Sequence, residues 1–219
     1  CSNNQLTSLD ISKNTALTNL DCSNNQLTSL DISKNTALTY LYCSNNQLTS
    51  LDVSKNTELT YLSCWNNQLT SLDVSRKTAL KSLDCSGNQL TSLDVSRNTA
   101  LKSLACYGNQ IKDKSMDDFI SSLPNNYSSN EYELKIIWAP ATDGNVCTTT
   151  QVAAIKAKGW TPYYCNNGWK EYAGSDPTAI EGIPEEVIKS VSIYNLNGQR
   201  LSEPQKGINI IGGKKVVVK

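Results

Sequence analysis

The sequence predicts a solenoid of short parallel strands, followed by an α/β cap and a small all-β module at the C-terminus. Six cysteines, from Cys1 to Cys106, recur every 21 residues without any insertion or deletion. The leucines between them keep the same spacing, and the period is lost after residue 111. Repeats of roughly 20–50 residues form elongated stacks in which each unit contacts only its neighbours. Residues 1–111 therefore form a one-dimensional array.

Each repeat contains two related halves. The first reads LTNLDCSNNQL over residues 17–27, and the second reads LTSLDISKNTAL over residues 27–38. In both halves apolar and polar residues alternate, which is the period of a short strand with one buried face. We therefore expect two short strands per coil, giving two parallel sheets that face each other across a thin core.

Both halves fit the pattern L-x-x-L-x-L-x-x-N-x-L, with cysteine, isoleucine or valine allowed at the third apolar place. This pattern resembles the leucine-rich repeat family, and the match covers residues 1 to about 111. The resemblance implies a leucine-rich repeat solenoid in which ladder asparagines bond to the backbone of neighbouring coils. These asparagines are Asn4, Asn25, Asn46, Asn67, Asn88 and Asn109. A second asparagine column is interrupted by Lys77, whose ammonium cannot accept hydrogen bonds, so we expect a local irregularity there.

The eight cysteines fall into two groups. Six belong to the repeat and should stack roughly 4.8 Å apart, all pointing the same way. Because a disulfide needs Cβ vectors that face each other, we expect a column of buried thiols. Cys147 and Cys165 lie outside this column and form the possible disulfide; the alternative is two buried thiols.

The outward positions of the first half vary from coil to coil and gather large rings. Tyr40, Tyr42, Tyr61 and Trp65 fall on neighbouring coils and predict an aromatic patch. Aromatic residues dominate protein-binding hot spots and also stack on sugar faces, although tyrosine and tryptophan favour exposed strands by propensity alone. The full candidate ligand-binding set is Tyr40, Tyr42, Tyr61, Trp65, Asp84 and Tyr107.

Another outward column holds one aspartate per coil: Asp10, Asp31, Asp52, Asp73 and Asp94. A basic column beside it offsets the repulsion between the carboxylates. The repeat lacks the glycine-rich nonapeptide of calcium-binding β-rolls, so we interpret these aspartates as structural.

Residues 112–172 are predicted to form the cap. A helix should run from near Ser115 to before Pro124, and a strand should begin at Glu133. A second helix should begin after the threonine cap at Thr148 and end at Gly159. The segment resembles the helix-bearing terminal units that close bacterial leucine-rich arrays. A short strand pair is predicted to turn at 166–168, and its Trp160 and Trp169 are expected to pack in the core.

Residues 173–187 read as a linker, and residues 188–219 predict two β-hairpins, the second turning at 212–213. The pattern SIYNLNGQR followed by KGINIIGGKKVVVK resembles the C-terminal sorting module of type IX-secreted proteins in Gram-negative anaerobes. The resemblance implies a protein that is secreted or held on the outer surface of a Gram-negative bacterium.

Composition narrows the function. The chain has 20 basic and 20 acidic side chains and no histidine, which disfavours nucleic-acid binding and removes the commonest catalytic base. No phosphate loop, nucleophile elbow or metalloprotease motif is present, and no apolar run is long enough to span a membrane. We therefore expect no enzyme and no cofactor. The leading hypothesis is a surface binding protein for another protein or a glycan; the alternative is a structural spacer.

Overall fold

Each coil of the array contributes one three-residue strand to a single parallel sheet. The strands are β1 (Asn19–Asp21), β2 (Tyr40–Tyr42), β3 (Tyr61–Ser63), β4 (Ser82–Asp84) and β5 (Ser103–Ala105). Neighbouring strands pair without any shift of the repeat, so that Leu20 lies opposite Leu41 and Leu41 opposite Leu62. The 21-residue period of the sequence is thus the register of the sheet.

The computed structural model describes residues 1–125, 132–139, 142–165, 167–175, 193–195, 199–201, 207–211 and 214–218. The chain divides into two units, Cys1–Gly174 and Ser175–Lys219. The first unit contains the array and the helices that follow it. The finer boundaries, at residues 111, 172 and 187, stay predictions.

The core of the array is built from columns of identical side chains. The leucine two residues after each ladder asparagine from Asn25 to Asn88, such as Leu27 or Leu48, is fully buried. Each fully buried leucine contributes roughly 1.5–3 kcal/mol relative to an exposed one. Cys22, Cys43, Cys64, Cys85 and Cys106 are also fully buried, and none is in a disulfide. The prediction of a column of buried thiols is therefore confirmed from Cys22 onward, whereas Cys1 is exposed.

From Asn25 onward, the ladder asparagines bond to the backbone of two coils at once, as predicted. Asn46 Nδ2 donates to the carbonyls of Cys22 and Cys43, each at 3.1 Å, and its Oδ1 accepts from the backbone N–H of Leu27 at 3.0 Å. Asn67 repeats these contacts one coil further on. The side chain thus satisfies polar backbone groups in a turn that no strand pairing reaches.

The prediction of two strands per coil is wrong, because the second half of each repeat forms turns instead. Asp31 Oδ1 accepts the N–H of Ser33 at 2.9 Å, and the same bond recurs at every aspartate of the column. The N–H groups of Asn35 and Leu38 then donate to carbonyls three residues earlier. These N–H groups are therefore used within their own coil and cannot form a second sheet.

Lys77 causes no backbone irregularity, contrary to the prediction. Its N–H donates to the Val74 carbonyl at 2.9 Å, as the N–H of Asn56 does to Val53. The physical reason lies in what this column requires. Asn56 Nδ2 donates to two carbonyls of the preceding coil, while its Oδ1 is buried without a hydrogen-bond partner. The position needs a donor and no acceptor, and an ammonium is a donor.

The cap begins where the second half of the last repeat is replaced by a helix. Helix α1 (Asp113–Ser122) starts two residues before the predicted position and buries Met116, Phe119 and Ile120. Strand β6 (Glu133–Ile137) pairs with β5 in parallel and extends the sheet. Helix α2 (Thr149–Ala157) begins at the predicted threonine, and Thr148 and Gln151 form a reciprocal capping box.

The ladder continues into the cap through a residue that lies outside the repeat pattern. Asn145 Nδ2 donates to the carbonyls of Cys106 and Ile136 at 2.8 and 3.0 Å, and its Oδ1 accepts from the N–H of Ile111. Cys147 therefore occupies the buried position that a leucine fills in the array. The structure forms no disulfide between Cys147 and Cys165. The pairing stays a prediction: Cys147 has a core position, and Cys165 ends strand β7 of the sheet.

Two further strands complete the sheet. Strand β7 (Thr161–Cys165) pairs in parallel with β6, and β8 (Trp169–Glu171) pairs with β7 in the antiparallel direction. Trp160 is buried, as predicted, and its Nε1 donates to the Pro124 carbonyl at 2.8 Å. Trp169 is 36 % exposed, so its assignment to the core is wrong.

The second unit contains a four-stranded antiparallel sheet in the order β10-β9-β11-β12. Its strands are β9 (Ile193–Asn195), β10 (Arg200–Leu201), β11 (Gly207–Ile211) and β12 (Lys214–Val218). Both predicted hairpins are present as strand pairs, while residues 188–192 and both predicted turns lie outside the described residues. The described strands of the second unit thus form a small all-β sheet, in agreement with the predicted fold class.

Candidate functional site

The outward face of the eight-stranded sheet carries the side chains that differ most between coils. In each strand the central leucine points into the core, and the residues on either side of it point outward. The outward positions change from Tyr40 and Tyr42 in one coil to Ser82 and Asp84 two coils later. Chemical variation on a constant backbone is what a recognition surface requires.

Three of the predicted site residues make ring contacts and form what we call the tyrosine patch: Tyr40, Tyr42 and Tyr61. The rings of Tyr40 and Tyr61 stack with centroids 6.3 Å apart, and Tyr42 lies 4.8 Å from Tyr61. Tyr40 is 43 % exposed, and burial raises the pKa of Tyr61, which therefore stays a neutral phenol. The patch is a preorganised aromatic surface with hydroxyl groups at its edge.

Asp84 lies on the same face and is partly buried. Both the N–H and the hydroxyl of Ser86 donate to Asp84 Oδ1. Burial raises the pKa of Asp84 despite these two hydrogen bonds, and the charge of Lys135 acts in the opposite direction. The Asp84 carboxylate has lost part of its hydration, so a cationic side chain of a bound partner would stabilise its ionised form.

Trp65 and Tyr107 do not belong to the tyrosine patch. They line a cavity of about 760 Å³, which we call the aromatic cleft. Trp138 also lines the cleft, together with backbone of Gly87 and Gly108. The predicted continuous patch is thus divided into two surfaces.

One wall of the aromatic cleft is a cluster of three aromatic rings in contact with one another. Tyr107 lies 5.3 Å from Trp138 and 5.2 Å from Trp169, and the two tryptophans meet edge to face at 5.9 Å. Lys135 Nζ lies 5.2 Å from the centroid of the Trp169 ring. Trp138 nevertheless stays 49 % exposed. Its position is therefore held by neighbours while part of its surface remains open.

The loop that carries Trp138 is held by the carboxylate of Asp143. Both oxygens accept from the N–H of Gly108, at 2.9 and 3.1 Å. The N–H groups of Trp138 and Asn145 donate to the same carboxylate. The negative charge of Asp143 is thus used within the protein, and its role is to position the cleft wall.

The floor of the cleft results from a change of residue type along the array. Asn24, Asn45 and Asn66 share a left-handed backbone, with φ from 52° to 56°, and their side chains form a ladder of amide hydrogen bonds. The next two positions of this column are Gly87 and Gly108, with φ of 59° and 64°. The amide ladder therefore ends at Asn66, and the missing side chains leave open space beside Trp65.

The sequence predicted some of these residues and missed others. Tyr107 was placed in the site, but Trp138, Trp169 and Asp143 were not. The sequence signal for the cleft was the change from SNNQ in the early repeats to SGNQ and YGNQ in the last two, which replaces an asparagine with glycine. The binding role of every predicted site residue stays a prediction.

The fold is that of a leucine-rich repeat solenoid, and its described residues carry two aromatic surfaces. Residues 36–77 match the family model of leucine-rich repeats in two copies. No protein of curated function matches the chain. Among the described residues, no helix has the length and apolar character needed to cross a membrane.

Three solved structures are similar to this chain in fold. The chain is 33 % identical to the functional domain of InlJ from Listeria monocytogenes, which includes a cysteine ladder; the match covers 62 % of this chain and 33 % of that one, with a TM-score of 0.51. The leucine-rich repeat protein LIC12759 of Leptospira interrogans is 22 % identical over 75 % of this chain and 41 % of its own, with a TM-score of 0.55. An internalin, InlF of Listeria monocytogenes, is 20 % identical over 74 % and 44 %, with a TM-score of 0.52. The chain spans less than half the length of each.

Proposed function

We propose that this chain is a secreted or cell-surface binding protein that recognises another protein through the tyrosine patch. The observation that carries the proposal is the contact between Tyr40, Tyr42 and Tyr61 on an exposed sheet face. Rigid tyrosines bury a large area at low entropic cost, and they are enriched among residues that dominate binding energy. The repeat fold supports a binding role of this kind, because stacked repeats present an extended surface for a partner.

Asp84 suggests the character of the partner. Burial disfavours its ionised form, and a lysine or arginine of the partner would restore the stability of the charge. The chain has no net charge, so association would not be steered by a long-range field. The partner would therefore combine an apolar surface over the tyrosine patch with a basic side chain directed at Asp84.

A binding experiment on the intact chain tests this function. Tyr42→Ala and Tyr61→Ala, applied separately to an array of extracellular proteins, should each weaken binding to the same partner about tenfold or more. Tyr163→Ala, on the same sheet but outside the patch, should leave binding unchanged. Unchanged affinity in both Tyr42→Ala and Tyr61→Ala, or no binding at all, would contradict the proposal and favour the spacer.

The spacer is a second candidate, in which the array holds another domain away from the cell. It is favoured by the regular asparagine ladder, which continues from the array into the cap through Asn145. A spacer needs rigidity and no ligand. Its prediction is that all three tyrosine variants behave as the unchanged protein in every binding experiment.

Location at the cell surface of a Gram-negative bacterium is also a proposal. It is supported by the resemblance of residues 188–219 to a type IX sorting module. Cells that express the chain without residues 175–219 should retain it internally, whereas the full chain should be labelled by an impermeant reagent. Equal surface labelling of both forms would contradict a sorting role.

A further inference from the structure

We propose that the aromatic cleft is a binding site for a neutral saccharide, separate from the tyrosine patch. Its volume of about 760 Å³ lies within the range of roughly 300–1,000 Å³ that is usual for small-ligand sites. The cleft is on the turn side of the strands, and among the described residues no ring-ring contact joins its rings to Tyr40, Tyr42 or Tyr61. The two surfaces can therefore be tested independently.

The walls of the cleft provide flat ring surfaces. Trp138 is supported from behind by Tyr107 and Trp169, and Trp65 is 37 % exposed in the third coil. The face of an aromatic ring is electron-rich and attracts the weakly positive C–H groups on one side of a pyranose. Trp65 makes none of the ring contacts of Trp138 in the described residues, so the two rings line different parts of one opening. This arrangement suits an extended ligand with more than one sugar ring.

The polar groups of the cleft are mostly neutral. Asn66, Gln110 and Thr142, which have uncharged polar side chains, line it. Among the described residues, none donates a hydrogen bond to Asn66 Oδ1, because the amide ladder that supplies each preceding donor ends there. A sugar hydroxyl can donate a hydrogen bond to Asn66 Oδ1 and can accept another from a neighbouring donor.

Charge argues against other small ligands. Of the described residues that line the cleft, Lys112 and Asp143 are charged, and the carboxylate of Asp143 is occupied by three N–H groups. One lysine is too little for a phosphate or a sulfated chain, which proteins bind with several donors. A small cation is bound by several rings around one point, and among the described residues no ring contact joins Trp65 to Trp138. A neutral saccharide satisfies all of these observations.

Gly87 offers a substitution that fills the cleft without disturbing the fold. Its φ of 59° is close to the 54° of Asn66, so an asparagine is accepted at this backbone conformation. A Cβ on Gly87 would meet Asn66 atoms no closer than 3.4 Å, which is an ordinary contact. Gly87→Asn should therefore extend the amide ladder by one step and occupy the space beside Trp65.

The experiment is a titration of the full chain with lactose, N,N′-diacetylchitobiose and maltotriose, followed by ligand-observed NMR and calorimetry. One of these probes should bind, and Gly87→Asn and Trp138→Ala should each weaken that binding about tenfold or more. Asn24→Gly, the reverse change at the same column position far from the cleft, should leave binding unchanged, as should Tyr61→Ala. Thermal unfolding shows that each variant is folded.

Three outcomes would overturn the proposal. The first is that no neutral saccharide binds more tightly than about 1 mM. The second is saccharide binding that persists in both Gly87→Asn and Trp138→Ala. The third is binding at the cleft of only a peptide or a sulfated disaccharide. Loss of protein binding in Tyr61→Ala with intact saccharide binding would separate this site from the proposed function.

Discussion

The ladder asparagines should differ in their contribution to stability according to their place in the stack. Asn67→Ala removes the acceptor of the Leu48 N–H, a buried donor whose bond to Asn67 Oδ1 is 3.0 Å long. An unsatisfied buried donor costs roughly 1–3 kcal/mol. The Nδ2 bonds to Cys43 and Cys64 are lost as well, but each carbonyl keeps a bond to another ladder asparagine. We expect a total loss of about 3 kcal/mol in the free energy of unfolding.

Asn4→Ala is the matched control, because Asn4 is exposed and its side chain, within the described part of the chain, donates to the Cys1 and Ser2 carbonyls at the edge of the stack. Its substitution should cost less than about 1 kcal/mol. Urea unfolding followed by circular dichroism measures both values if the slope of the transition is unchanged. Equal losses for the two variants would refute the reasoning, since the cost would then not depend on burial of the bonded N–H group.

Two further predictions concern the buried groups of the array. Lys77→Asn replaces a buried ammonium with the donor used by the rest of the column, and should raise the unfolding temperature by about 2–4 °C per 1 kcal/mol gained. Burial lowers the pKa of Lys77, so between that pKa and about 10.4 the unfolded chain binds more protons than the folded chain. The stability of the unchanged protein therefore rises with pH in this alkaline range. The stability advantage of Lys77→Asn should shrink in the same range. A lower unfolding temperature for the variant would contradict this account. Burial raises the pKa of Cys22 to about 11 and the pKa of Cys147 to about 12. Alkylation of the folded chain at pH 8, followed by mass spectrometry, should therefore find label on the exposed Cys1 but not on Cys22 or Cys147. Full labelling of Cys22 without unfolding would show that the column is open.

The array could be predicted from sequence because its contacts repeat. A side chain at one position meets its equivalent 21 residues away, so one repeat defines the column, as with Leu20 opposite Leu41. The same reasoning failed for the second half of the repeat. Alternation alone cannot distinguish a strand from a turn in which Asp31 bonds to Ser33. The outcome depends on where each N–H group finds its acceptor.

The cleft could not be predicted, because its walls come from distant parts of the chain. Trp138 and Trp169 lie outside the period, and only the continuation of the sheet through β6, β7 and β8 brings them to Tyr107. Asn145 was missed for the same reason, since it enters the ladder after a helix has replaced half a coil.

The sequence by itself determined the solenoid, its register and its buried thiols, because these follow from contacts between identical neighbours. Only the tertiary structure decided that each coil has one strand, that a lysine fits a donor-only position, and that the aromatic residues form two surfaces. The physical reason is that these features depend on non-repeating contacts: the direction of a single hydrogen bond, or the meeting of rings from the array and the cap.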